Sequence, residues 1–271
     1  MLDHYTTYRA LEVKQENRLL RLTLNSPDTL NGVGVAMHPE LEDFFYRVRS
    51  DTTVGAILLT GAGRVFSAGG DINDLADVAR HQADAVGVAQ IMRNTKTLFT
   101  NMLGVPQPIV CAVHGYAMGV AASIALCSDV VIAATDAVIA DTHVSIGLVA
   151  GDGGPVLWPL LMPLNTAKYY LMTGDRITGT EAERLGLVLR AVPPENLHAH
   201  AEQIAIRLAD GPALAIQGIK ATVNKVVHAR ADLLFDSALA LEGVTMLSAD
   251  YHEAITALVE KRSPTFNNDA T

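Results

Sequence analysis

Two short glycine-rich stretches and one histidine hold the chemistry this chain could perform. The first stretch, Phe66-Ser67-Ala68-Gly69-Gly70-Asp71-Ile72, follows the apolar run Val54 to Thr60. The second, His114-Gly115-Tyr116-Ala117-Met118-Gly119-Val120, follows Ile109 to Val113. Each sits where a strand should give way to a helix. Small residues let the backbone approach a ligand closely, and the first turn of a helix leaves N–H groups without partners. Two such groups converging on one point make an oxyanion hole, which stabilises charge building on a carbonyl oxygen. His143 stands in Ala140-Asp141-Thr142-His143-Val144-Ser145, and Asp152 follows in Ala150-Gly151-Asp152-Gly153-Gly154. The intervening glycines allow the chain to fold back and set the carboxylate on the imidazole. An imidazole near its ordinary pKa, held by a carboxylate, is a general base for water. Asp141 is the alternative orienting group. The plainer reading is that Asp152 caps the helix through Trp158 and His143 only hydrogen-bonds.

The elements that must position these residues follow from pattern. Tyr8 to Val13 and Leu19 to Leu24 alternate as a hairpin around Gln15-Glu16-Asn17. His38 to Arg49 is amphipathic and predicts a helix; Ala83 to Leu103 predicts a longer one, stopped by Gly104, Pro106 and Pro108. Val54 to Thr60, Ile109 to Val113 and Asp129 to Ala134 read as buried strands, with a short one near Ala137 to Ala140. Helices are expected after each loop, at Asp71 to Ala76, Val120 to Leu126 and Pro155 to Leu161, then at Asn165 to Met172. Strand, loop and helix recurring in this way favour a parallel sheet flanked by helices. After Val188 to Val192 the pattern turns helical, at Glu195 to Ala209, Pro212 to Val227, Ala231 to Ser248 and Tyr251 to Lys261. The change near Pro193-Pro194 divides an α/β core domain, 1–193, from a C-terminal helical region, 194–271.

Bulk properties narrow the function. Hydrophobic residues make up 49% of the 271 but aromatics only 5%, so Ala, Val and Leu must build most of the core. The net charge of −9 argues against nucleic acid or an anionic membrane as partner, since phosphate binding needs basic patches. Cys111 and Cys127 have no metal-like spacing, which points to a reducing, cytoplasmic setting. Met1 to Arg9 lacks the apolar stretch of a secretory signal, and no run reads as a membrane span.

The paired loops resemble those of the crotonase (enoyl-CoA hydratase/isomerase) superfamily. Asn25-Ser26-Pro27, Leu59-Thr60-Gly61, Ser128-Asp129, Leu171-Met172-Thr173-Gly174, Ala182 to Val188 and Glu260-Lys261-Arg262-Ser263-Pro264-Thr265-Phe266 extend the resemblance over nearly the whole chain. It implies a ClpP-like spiral of ββα units with a C-terminal helical trimerisation region. It implies a lyase or isomerase of fatty acid metabolism, acting on acyl-CoA thioesters as a homotrimer or homohexamer. Coenzyme A enters as part of the substrate, with no other cofactor and no metal. Carried over, the oxyanion donors are the N–H groups of Ala68 and Val120. Ser67, Gly69, Gly70, Asp71, Ile72, Gly119, Ser123 and Trp158 surround the substrate. Lys261 and Phe266 reach the adenosine end of coenzyme A. The plainer roles are helix capping for Asp71, core packing for Trp158, and capping and packing for Lys261 and Phe266.

The departures are as informative. Hydratases of the superfamily use two glutamates, and Ser123 and His143 stand in their places. A serine at its ordinary hydroxyl pKa can neither deprotonate water nor protonate carbon well. The His/Asp pair then becomes the acid–base group. One branch, the β-diketone hydrolases of the 6-oxocamphor hydrolase type, shows a similar His and Asp followed by Trp-Pro, here Trp158-Pro159. There water attacks a ring ketone and a C–C bond breaks. That branch's further histidine in the second loop is replaced here by Val120-Ala121-Ala122. Glu242 is a further carboxylate that could reach the site from a late helix. His114 reads as structural, and His81, His198, His200 and His252 as solvated surface. A homologue that binds acyl-CoA without catalysis is the remaining alternative.

Overall fold

The computed structural model describes residues 5, 7–80 and 84–266; His81 lies outside them. Strands β1 (Leu11–Glu16) and β2 (Leu19–Leu24) pair antiparallel, with Leu11 opposite Leu24. Asn17 takes the left-handed turn between them at φ 53°. Strands β3 (Ala56–Gly61), β4 (Ile109–Val113), β6 (Val130–Ala134) and β9 (Arg190–Val192) then add in parallel, giving a six-stranded sheet ordered β1-β2-β3-β4-β6-β9. All five residues of β4 are buried. A parallel strand covered on both faces reads as a continuous apolar run, and Ile109-Val110-Cys111-Ala112-Val113 is one.

A second, smaller layer carries the loops. Strands β5 (Tyr116–Met118) and β7 (Val138–Ala140) pair parallel, and β8 (Ile177–Thr178) pairs antiparallel to β7. Isolated bridges Ser67↔Ala117 and Val33↔Gly70 extend this layer to the earlier units. A large-sheet strand is thus followed by a stretch in the small layer and then by a helix. β2 leads through Val33 to α1 (Met37–Val48). β3 leads through Ser67 and Gly70 to α2 (Ile72–Arg80) and α3 (Ala85–Leu103). β4 leads through β5 to α4 (Val120–Leu126), and β6 through β7 and a short 3-10 turn at His143–Ile146 to α5 (Gly154–Leu161). This is the ββα spiral the resemblance implies. Strands of two or three residues are too short to show alternation, so β5 and β8 were not expected.

Helices α6 (Leu164–Thr173), α7 (Gly179–Leu185), α8 (Leu197–Ala209), α9 (Ala213–Thr245) and α10 (Ala249–Val259) complete the chain. α8 packs on β3 and β4, α9 on α3 and α5, and α10 on α2 and the turn at His143. The sequence predicted two helices where α9 is one. No glycine or proline stands between Val227 and Ala231, and tertiary packing carries the helix through. At 1.5 Å per residue α9 is roughly 50 Å long. No helix among the described residues is long and apolar enough to cross a membrane.

Candidate active site

Both glycine-rich loops meet at the edge of the small layer. A Cβ on Gly69 would lie 2.7 Å from Met118 O, so the loops are in backbone contact. Val120 is the first residue of α4, and its N–H makes no hydrogen bond among the described residues. That is the normal state of a first-turn amide. The Ala68 donor expected from the resemblance is corrected: its N–H is bonded to Leu30 O at 2.9 Å. Gly69 turns the chain at φ 98°, and the N–H of Gly70 makes no hydrogen bond among the described residues. Gly70 lines a front pocket of about 280 Å³, with Val33, His38, Leu75, Ile91 and Met246.

His143 is brought to the same place. The 3-10 turn lays its ring over Gly119, where a Cβ would be 3.6 Å from Cε1 and 4.0 Å from Nε2. Nδ1 donates to Asp141 Oδ1 at 2.6 Å, and Nε2 faces Asp152 Oδ2 at 3.3 Å. The expected Asp152 and the alternative Asp141 thus both hold the ring, one at each nitrogen. Asp152 stands on the other side of the ring and accepts from Ser123 Oγ at 2.9 Å. Asp141, His143 and Asp152 are all buried. Gly151 and Gly154 let the chain come this close: side chains there would run into Glu242 Oε2 and Asp141 Oδ2. Burial alone would lower the His143 pKa, but the charges of Asp152 and Asp141 overturn it and hold the ring well above 6.5. The two flanking aspartates thus favour the charged form of the His143 ring between them. The ligand atoms of these three side chains lie within 4.8 Å of one another, close enough to share a cation.

Glu242, on α9, closes the site from the helical region. Its Oε2 is buried without a hydrogen-bond partner among the described residues. Burial, reinforced by Asp152 and Asp141 and opposed by His143, pushes its carboxyl up to about 8. The folded chain thus holds a proton that the unfolded chain has released, so this group's stabilisation is lost as pH rises from about 4.5 to about 8. We expect Glu242→Gln to raise Tm over the parent at pH 8 and to leave it nearly unchanged at pH 5. Parallel thermal melts check this, and an equal gain at both pH values would refute it.

His38 was not anticipated, because an α1 histidine has no motif around it. Nδ1 pairs with Glu42 Oε1 at 3.0 Å, one turn on, and Nε2 is buried without a partner among the described residues. Burial lowers its pKa and Asp152 opposes this, which favours the neutral ring; with Nδ1 donating to Glu42, a neutral ring would leave Nε2 as an acceptor. Its i,i+4 carboxylate is the signal that could have found it.

Other expected contacts are placed elsewhere. Ser67 is fully buried, donates to Asn31 O at 2.6 Å and accepts from Gly69 N at 3.2 Å, so it braces the loop. Trp158 is fully buried against Tyr170 and packs in the core. Asp71 lines the front pocket and accepts from Asn73 N at 2.9 Å. Ile72 is exposed. Lys261 and Phe266 are exposed beyond α10, next to Arg262, which holds Glu253 in a two-bond pair at 2.6 and 2.9 Å.

The sequence profile described as Enoyl-CoA hydratase/isomerase matches residues 14–269. A solved enoyl-CoA hydratase/isomerase from Mycobacterium paratuberculosis superposes with a TM-score of 0.87 at 35% identity, covering 92% of this chain and 99% of that one. The β-diketone hydrolase of the cyanobacterium Anabaena sp. PCC 7120, solved with (S)-3-oxocyclohexyl acetic acid, gives 0.83 at 27% identity, covering 90% and 97%. The fold is that of the crotonase superfamily. The curated 1,2-epoxyphenylacetyl-CoA isomerase of Escherichia coli (strain K12) is 33% identical over 251 residues, 93% of this chain and 95% of the relative. The chain belongs to the enoyl-CoA hydratase/isomerase family.

Proposed function

We propose that this protein activates water with the Asp141–His143–Asp152 cluster for attack on an enoyl-CoA thioester. The observation that carries this is the buried His143 ring held between Asp141 and Asp152, beside the Gly70 and Val120 N–H groups that make no hydrogen bond among the described residues. Gly70 and Val120 would hold the thioester oxygen as it gains charge. Water would give one proton to Asp152 while His38 Nε2 accepts its other hydrogen, and its oxygen would bond to the β-carbon. His143, already charged, would protonate the α-carbon from Nε2. The proton on Asp152 would then cross to His143 and restore the resting state. One acid–base cluster thus does the work of two glutamates. Coenzyme A is carried by the substrate, and exposed Lys261 and Phe266 would meet its adenosine end. The exposed Leu214, Ile219, Val223 and Val226 on α9 support contact between copies in a homotrimer or homohexamer.

The same atoms favour a second reading. Water added to a ring ketone, followed by C–C cleavage, yields an acid and an enolate that His143 would protonate. The likeness to the Anabaena hydrolase and the absence of both glutamates support it. Assaying crotonyl-CoA and a bicyclic β-diketone side by side separates the two. Turnover of the thioester supports the first reading, and turnover of the diketone alone overturns it. Binding of coenzyme A with no turnover of either, unchanged by His143→Ala, would mean a non-catalytic binder.

A further inference from the structure

Among the described residues, Gly70 carries the first N–H of its loop that makes no hydrogen bond, because the four before it are taken. Phe66 N–H goes to His114 O at 2.8 Å and Ser67 N–H to Tyr116 O at 2.9 Å, both across to the second glycine-rich stretch. Ala68 N–H goes to Leu30 O at 2.9 Å, and Gly69 N–H to Ser67 Oγ at 3.2 Å. Ser67 Oγ in turn donates to Asn31 O at 2.6 Å. The acceptors that belong to neither loop are thus the carbonyls of Leu30 and Asn31. Buried backbone groups must find partners, so these two carbonyls settle which amide is left over.

Leu30 and Asn31 hold a conformation that L side chains resist. Both stand at φ 55°, consecutive left-handed residues of which neither is a glycine. Strain of this kind persists only where the surroundings over-determine it, and it gathers at functional sites. The Asn31 side chain supplies those surroundings. It is fully buried. Oδ1 accepts from Ser26 N at 2.9 Å, which closes the turn behind it. Nδ2 donates to the carbonyls of Ala62, Val65 and Phe66 at 2.8, 3.0 and 3.0 Å, the stretch that leads from β3 into the loop. A buried amide satisfied in this way rigidifies what it touches. One side chain therefore fixes both the carbonyls that Ala68 and Ser67 bond to and the segment that carries Gly70. We infer that Asn31 is a positioning residue of the reaction: by locking the turn at Leu30 to the segment ending at Phe66, it makes Gly70, and not Ala68 or Gly69, present its N–H to the substrate carbonyl. This rests on the function proposed above, which seats a carbonyl oxygen at Gly70 and Val120.

The test reads the carbonyl itself. Donors aimed at a C=O oxygen draw charge onto it, so its infrared stretch falls below the free value. In a His143→Gln background, which holds substrate without turning it over, bound crotonyl-CoA or bicyclic β-diketone should show this lowered stretch. Adding Asn31→Gly keeps the left-handed backbone and deletes the amide. It should return the stretch most of the way to the free value. With His143 intact, Asn31→Gly should lower kcat about tenfold to a hundredfold and change KM less than about threefold, the scale of a reacting group misplaced by about an ångström. A residue that only stabilised the fold would shift Tm and leave the stretch in place. Should Asn31→Gly not fold, Ser67→Ala gives the same reading in smaller degree. An unchanged stretch in the folded variant overturns the assignment. If neither ligand binds, the function falls, and amide hydrogen exchange decides on Asn31 alone. Ala68 and Gly69 protected in the parent and opened by Asn31→Gly support the lock; protection that the variant leaves unchanged overturns it.

Discussion

Replacing His143 with glutamine lowers kcat by about 10³-fold, the scale of a lost acid–base group. Glutamine can still donate to Asp141 but cannot carry charge. Alanine is the harsher change, because it leaves two buried carboxylates facing each other without a cation, a destabilising state. The glutamine variant therefore separates chemistry from folding, and its far-UV spectrum and Tm should stay close to the parent's. The pH dependence supplies a sharper check. Asp152 and Asp141 together hold the His143 proton well above 6.5. Asp141→Asn removes one of those charges, so the limb of the kcat profile that reports loss of the imidazolium should move to lower pH. Stability follows the same sign. The clamp's contribution is complete below about 6.5 and is lost as pH rises through the raised folded value. A profile that Asp141→Asn leaves in place would show that the ring is not the titrating group.

Val120→Pro should cost about 10²–10³ in kcat while leaving the fold intact, the loss seen when one oxyanion donor is deleted. Proline is welcome at the first position of a helix, because its missing N–H has no intrahelical acceptor there. Val120 holds that position in α4. The substitution therefore removes the N–H together with the valine side chain that packs against the core. Val120→Ala keeps the N–H and should stay within a few-fold of the parent. Equal activity in the two variants would mean that the donor lies elsewhere.

Much of this was legible in the residues. The strand from Ile109 to Val113 and the helix from Val120 to Leu126 match their sequence-based bounds because apolar runs ended by Gly, Ser-Asp or Pro leave little choice. The loop pair and the His143 neighbourhood were legible for the same reason: small residues at fixed places advertise close approach. What could not be read was direction. Whether Ala68 or Gly70 leaves its amide free depends on how Gly69 turns, and on Leu30 taking up the other N–H. Which aspartate orients the imidazole depends on the side to which each lobe of the loop folds. The sequence reading chooses Asp152 and keeps Asp141 as the alternative, and in the fold both flank the ring. His38 depended on a contact across the fold that no local pattern encodes.

The unbroken course of α9 has a mechanical consequence. One end displays Leu214 and Ile219 to the outside, while the other sets Glu242 over the reacting groups. A strut of this length without a joint passes displacement along its axis. Whatever seats its far tip therefore also fixes how deeply the carboxyl sits above the imidazolium.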